Sequence, residues 1–421
     1  MAVPEEKIDI KHIDEAPSET SISIGLKRRV ARKIDYHVLP WLFGLWFFCF
    51  LDRTSIGNAK IDGLLTDLSL TGNQFNIALT VFFVSYILVD IPSNWLLIIL
   101  KPGHYLPGLA VGWGLMTICF GFVRSFASLV VLRLLLGVFE GGITGGIVLY
   151  LSMFYPRHQI VFRIALFYSA SPLSGAFGGL LAGALTRIEV GNYRAWPWIY
   201  FVEGAATLLF RLLTWIWLPH SPQTSPFFNE EERKVAQDRL VQASGGPESE
   251  PAESETGFHW HWVKIGILEG NTILASLAWL AIIVPLYSYA FFLPTIINAL
   301  GYSTLVSQLL SVPPNFAGFL MVLAFAALSD RIKIKGPLII GCCLLSLIGY
   351  IILIVCDKAQ VKYGGTFFIA AGVYPCTPLF LGWTTSQIKP LQARAIAGGF
   401  QVSVGNMAAF IATFSYLPKD A

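Results

Sequence analysis

The stretch Arg133-Leu-Leu-Leu-Gly-Val-Phe-Glu140-Gly-Gly-Ile-Thr-Gly-Gly146 sets a guanidinium and a carboxylate inside a segment otherwise fit for lipid. A charge at the bilayer centre costs roughly 2.5 to 3.5 kcal/mol or more, so such residues normally mark a substrate or ion path. The 421 residues are 55% hydrophobic and only 13% charged, with a mean hydropathy of +0.63. A soluble domain carries roughly 25% charge. The chain reads as an all-α polytopic membrane protein, with the lipid bilayer as its solvent.

A net charge of +3 with no long basic run gives no footprint for nucleic acid. The six cysteines fall in or at the ends of apolar runs, with neither a disulfide framework nor metal spacing. No phosphate loop, Gly-x-Ser-x-Gly or His-Glu-x-x-His pattern occurs, so no enzyme, cofactor or metal is expected.

Apolar runs near 37–58, 75–99, 105–123, 127–152, 161–186, 196–218, 268–297, 304–328, 337–356, 363–386 and 394–416 give eleven spans. Most reach the roughly 20 residues that cross the hydrocarbon. Residues 1–35 read as a disordered cytosolic tail. Its Lys27, Arg28, Arg29, Arg32 and Lys33 precede the first span and place the N-terminus in the cytosol. Residues 36–218 form a first bundle of six spans, 219–263 a cytosolic linker with a helix-prone piece at 229–240, and 264–421 a second bundle of five. Phe50-Leu51-Asp52 to Asn58 is faintly echoed by Phe292-Leu293-Pro294 to Asn298, as in parallel-repeat transporters.

Arg133 and Glu140 lie seven apart, on one helical face but about 10 Å apart along the axis. Each is expected to meet a partner from another span. Counting 1.5 Å per residue from the membrane edges sets Arg133 level with Asp52 and Arg53 of the first span. An acid that binds a proton beside an Arg that grips a carboxylate is the minimum for coupling protons to an organic anion. The plainer alternative is a salt bridge that ties helices together.

Tyr86, Gln401, Asn406 and Tyr287 are polar candidates for a substrate lining, with Tyr289 and Asn315 beside them; interhelical hydrogen bonding is the competing reading for each. Asp90, before Pro92, suits a cytosolic gate better than a coupling acid. Glu203 and Arg211 lie eight apart, too far to be taken as a pair, and Arg211 has no evident partner. The glycines at 141, 142, 145, 146, 175, 178, 179 and 183 read as close helix packing.

In this order, Leu51-Asp52-Arg53-Thr54-Ser55-Ile56-Gly57-Asn58, Asn73 to Asn94, Arg133 to Gly142, Met153-Phe154-Tyr155-Pro156-Arg157-His158, Leu218-Pro219-His220-Ser221-Pro222, Tyr287 to Gly301, Ser311-Val312-Pro313-Pro314 and Ser403-Val404-Gly405-Asn406 resemble the major facilitator superfamily. The similarity is to its anion:cation symporter branch and the fungal allantoate, nicotinate and pantothenate permease group. The resemblance implies two six-helix bundles that alternate access to a central site. By it, Asp52 and Glu140 couple protons, Arg53 holds the substrate carboxylate, Arg133 is its basic partner, and Tyr86 and Asn406 line the path. The family's Gly-x-x-x-Asp-Arg loop is reduced to Leu100-Lys101-Pro102-Gly103-His104, whereas Ser329-Asp330-Arg331 survives as a gate element. A twelfth span is expected to be missing.

The leading expectation is proton-driven symport of a small organic anion across the plasma membrane by a monomer. The alternative is a nutrient sensor or inactive transporter relative that binds without translocating.

Overall fold

Lipid offers no hydrogen-bond partner, so a chain this apolar must satisfy its backbone within helices. The computed structural model describes residues 19–100, 102–155, 157–185, 195–219, 221–244, 260–268, 270–387 and 391–415. Among them every regular element is helical. The first group comprises α1 (Glu19–Ala59), α2 (Gln74–Leu100), α3 (Pro102–Phe120), α4 (Phe126–Glu140), α5 (Ile143–Phe154), α6 (Arg157–Tyr168), α7 (Ala170–Leu185) and α8 (Ala195–Trp217). After α9 (Glu230–Ser244) and α10 (Trp260–Leu268) comes the second group: α11 (Gly270–Ala299), α12 (Thr304–Leu310), α13 (Val312–Ile332), α14 (Gly336–Val355), α15 (Ala359–Gln387), α16 (Leu391–Asn406) and α17 (Ala408–Phe414).

Nine stretches among the described residues are long and apolar enough to cross a membrane, and Gln74–Asp90 and Tyr105–Phe120 are shorter apolar helices, which matches the eleven runs read from the sequence. Several spans consist of two helices in series. α4 and α5 make one span, broken where Gly142 adopts a left-handed φ of 83° that a side chain would resist. The glycine-rich run is therefore partly a kink, where close packing alone was expected.

One boundary differs from the sequence reading. Residues 1–18 lie outside the described residues, but 19–35, expected to be disordered, belong to α1. The helix-prone piece of the linker is α9, which runs on to Ser244, while the Ser/Gly/Pro/Glu stretch read at 243–257 lies, from residue 245 on, outside the described residues. Charge holds α9 in place: Lys33 Nζ donates to Glu232 Oε2 at 2.7 Å and to the Phe227 carbonyl at 3.3 Å. The His37 ring stacks on Phe227, with centroids 4.4 Å apart. On the same helix Asp35 takes both Nε and Nη2 of Arg163, at 2.8 and 2.9 Å, and the Tyr155 hydroxyl at 2.8 Å. This is the basic end of the molecule.

The two groups meet at both ends. At the basic end the Ser403 hydroxyl of α16 donates to Asp90 of α2 at 3.0 Å. At the far end the Thr304 hydroxyl donates to the Ile61 carbonyl at 3.4 Å. There α1 approaches α11 so closely that a Cβ on Gly57 would stand 2.5 Å from the Phe291 carbonyl oxygen.

Candidate functional site

Between these closures lies a cavity of about 30 Å3, walled by Arg53 and Trp46 of α1, Trp279 and Tyr287 of α11, Tyr374 of α15 and Asn406 of α16. That is room for roughly two or three waters, so this conformation is contracted and a larger ligand requires the groups to part. Among the described residues Arg53 is the only full charge in the wall.

Arg53 is 2% exposed and Glu140 fully buried. The guanidinium donates from Nη2 to Glu140 Oε2 at 2.7 Å and from Nε to the same oxygen at 3.1 Å. Its Nη1 turns to the cavity and the Tyr287 hydroxyl at 3.3 Å, which donates onward to Asn406 Oδ1 at 2.7 Å. The rings of Phe82 and Tyr86 cover the guanidinium, with centroids 5.2 and 5.0 Å away. Cys49 Sγ lies 3.4 Å from Glu140 Oε2 and donates to it, while Glu140 Oε1 has no partner. One buried cation thus spans α1, α4 and α11. Chemically, the pair can open: a proton on Glu140 weakens its hold on Arg53 and leaves the guanidinium free for another carboxylate.

The remaining sequence-selected residues fall into different places. Asp52 faces away from the cavity, accepting Trp113 Nε1–H at 2.9 Å and the Thr207 hydroxyl at 3.1 Å. Arg133, expected level with Asp52 and Arg53, instead lies over the Phe120 ring, 5.1 Å from its centroid, and its Nε and Nη2 have no hydrogen-bond partner. Tyr86 bonds the Thr144 hydroxyl at 2.9 Å. Gln401 is buried with Nε2 unpartnered, outside the cavity wall. Asp90 joins the two groups as described, and Asp330 and Arg331 are exposed at the end of α13.

Sequence reasoning missed Trp113, Cys49 and the aromatic wall of Trp46, Trp279 and Tyr374. Trp113 carried a signal: it stands between Gly112 and Gly114, whose missing side chains admit Phe139 and the α8 backbone. Arg211, left unexplained, lies on Trp113 and donates from Nη2 to the Leu45 carbonyl at 3.1 Å.

Two helical groups around a central charged cavity, closed at both ends by contacts between the groups, define a multi-span membrane transporter. The model of the Major Facilitator Superfamily matches residues 42–413, and the chain belongs to that superfamily. An uncharacterized transporter of Schizosaccharomyces pombe is 36% identical over 389 residues, covering 91% of this chain and 79% of that protein. The high-affinity nicotinic acid transporter of Saccharomyces cerevisiae is 32% identical over 400 residues, covering 95% and 74%. A major facilitator-type transporter of Emericella nidulans is 32% identical over 418 residues, covering 95% and 82%. These relatives are fungal transporters and fit the nicotinate and allantoate-like permease group. Among solved structures, the E. coli xylose transporter in a partially occluded inward-open conformation superposes with a TM-score of 0.66 at 14% identity, covering 91% of each chain. A bacterial homologue of the lysosomal transporter Spinster, inward-facing and unoccupied, gives 0.65 at 16%, covering 91% and 80%. Both show the fold.

Proposed function

We propose that this transporter carries a small organic anion together with protons by alternating access. The observation that supports the reading is the Arg53–Glu140 pair, whose Nη1 faces the cavity and donates to Tyr287, itself bonded to Asn406. A proton arriving at Glu140 loosens the pair, and the substrate carboxylate takes the vacated guanidinium. Tyr287 and Asn406 supply neutral hydrogen bonds, and Tyr86 covers the guanidinium. Asp52 is the second coupling acid. Gln401 and Arg133 join the lining only when the groups move. Asp90 with Ser403, and Asp330 and Arg331, act at the gate. The basic cluster at Lys27 to Lys33 supports an N-terminus in the cytosol, and the plasma membrane is the proposed location, with the protein working as a monomer.

The aromatic wall suits a flat carboxylate, and the name of the yeast relative makes nicotinate the first probe to try. In proteoliposomes with acid outside, Glu140→Gln should abolish accumulation of a transported anion against its gradient while exchange persists. Gradient-driven uptake that is unchanged in Glu140→Gln overturns the reading.

A further inference from the structure

Glu203 of α8 is 1% exposed, and no cation pairs with it among the described residues. Its Oε1 has no hydrogen-bond partner and its Oε2 meets the Ser55 hydroxyl of α1. Ser55 has a single hydroxyl proton and two oxygen neighbours: Glu203 Oε2 and the Leu51 carbonyl at 2.8 Å. A backbone carbonyl can only accept. The hydroxyl proton either goes to Glu203 Oε2 or, when Ser55 donates to Leu51, the bond to Glu203 uses a proton carried by Glu203 itself. Burial decides between them, because an ionised carboxylate removed from water without a cation is far costlier than a neutral acid.

The surroundings place this acid in a series. Glu203 and Thr207 are one turn apart on α8, Asp52 and Ser55 one turn apart on α1. Ser55 faces Glu203, while Thr207 donates to Asp52. Asp52 and Glu203 thus stand one turn apart along the same α1–α8 contact, and Glu140 meets α1 at Arg53, the residue next to Asp52. On α8 itself stand Tyr200, whose hydroxyl is unpartnered, and Arg211, which bears on Asp52 from two turns beyond Glu203. Of the other elements near α8, α7 has no acidic or basic residue, the described side chains of α3 include none, α4 brings Arg133 toward Tyr200, and the turn after α1 carries Lys60 and Asp62.

We propose that Glu203 is a third proton-binding carboxyl, neutral in this contracted conformation and linked through Asp52 to Glu140. That it serves coupling rests on the proton-symport reading above; that it holds a proton does not. When its proton leaves, a second negative charge faces Asp52, so the charge states of the three acids depend on one another.

Infrared difference spectroscopy of the purified full chain in liposomes, titrated in light and heavy water, tests this without a substrate. The wild type should show a buried protonated-carboxyl band that disappears in Glu203→Gln and survives in Glu140→Gln. Asp52→Asn should shift the pH midpoint of the band, and Ser55→Ala should move it to higher frequency as the acid loses its acceptor. Absence of the band in the wild type, its survival in Glu203→Gln, or a midpoint indifferent to Asp52→Asn overturns the proposal. Should Glu203→Gln not fold, a band unmoved by Ser55→Ala does the same. Failure of symport alone, seen as unaltered uptake in Glu140→Gln, leaves these bands in place and so is told apart.

Discussion

The Arg211 guanidinium lies 3.5 Å from the centroid of the Trp113 ring, while the edge of the same indole donates its N–H to Asp52. The ring face is electron-rich and its edge electron-poor. A cation on the face and an anion at the edge therefore both find the side of the ring that favours them. Two buried opposite charges are held apart by a group that stabilises each.

Replacing Trp113 with Phe keeps the face and removes the N–H. The lost hydrogen bond to a buried carboxylate should cost roughly 1 to 3 kcal/mol. Thermal unfolding in detergent should show a lower midpoint. Arg211→Lys should lower it too, because an ammonium cannot lie flat on the ring.

Helix approach gives a second expectation. A Cβ on Gly137 would stand 2.2 Å from Ser85 Oγ and 2.3 Å from the Phe82 carbonyl oxygen, so Gly137→Ala must push α4 from α2. Overpacking of this kind costs about 1 to 3 kcal/mol. At Gly341 nothing lies within 4 Å, and Gly341→Ala should not lower the melting temperature and should raise it slightly, since Ala is the better helix former.

Gly57 should act on conformation more than on stability. Its neighbour across the interface is backbone, the Phe291 carbonyl, which cannot swing aside. Gly57→Ala should hold the far end open, and Ser403→Ala, by removing the bond to Asp90, should favour opening at the basic end. Cysteine pairs across each end report both: Gly57→Ala should reduce cross-linking at the far end, Ser403→Ala at the basic end.

The tie between α1 and α9 should be sensitive to acid. Burial pushes the Glu232 carboxyl up, but hydrogen bonds from Lys33 and the Asn229 N–H, with the charges of Lys33 and Arg29, outweigh it and hold the group below the usual carboxylate range. A carboxyl depressed in the folded state stabilises above its unfolded pKa, about 4.3 for Glu, and loses that contribution as pH falls through the folded value. Hydrogen-exchange protection over α9, taken relative to the unfolded-chain rate at the same pH, should be high near neutrality and fall below about pH 4. Glu232→Gln should exchange faster at neutral pH and respond less to acid.

The spans were legible because hydropathy alone decides where lipid forces a helix. The pairing of charges was not. Level counting assigned Arg133 to Asp52 and Arg53 from the heights of their Cα atoms, but helical side chains lean toward the N-terminus of their own helix. α1 and α4 are expected to run in opposite directions, so Arg53 leans toward the basic end, where it meets Glu140, and Arg133 leans toward the far end, where it finds Phe120. The helical extension before residue 36 escaped notice because a charged, Ser-rich sequence has no apolar period to reveal it. What anchors it is Glu232, almost two hundred residues away.

α1 touches water at one end through Lys33 and Asp35, carries Arg53 at its middle, and brings Gly57 against α11 at the other. A helix is stiff along its axis, so a tilt that begins at the central guanidinium is transmitted in both directions along the rod. Pro40 removes one rung of the backbone ladder between the centre and the basic end. The rod is therefore asymmetric: a tilt at its middle would reach the far arm through an unbroken ladder and the basic arm through the missing rung.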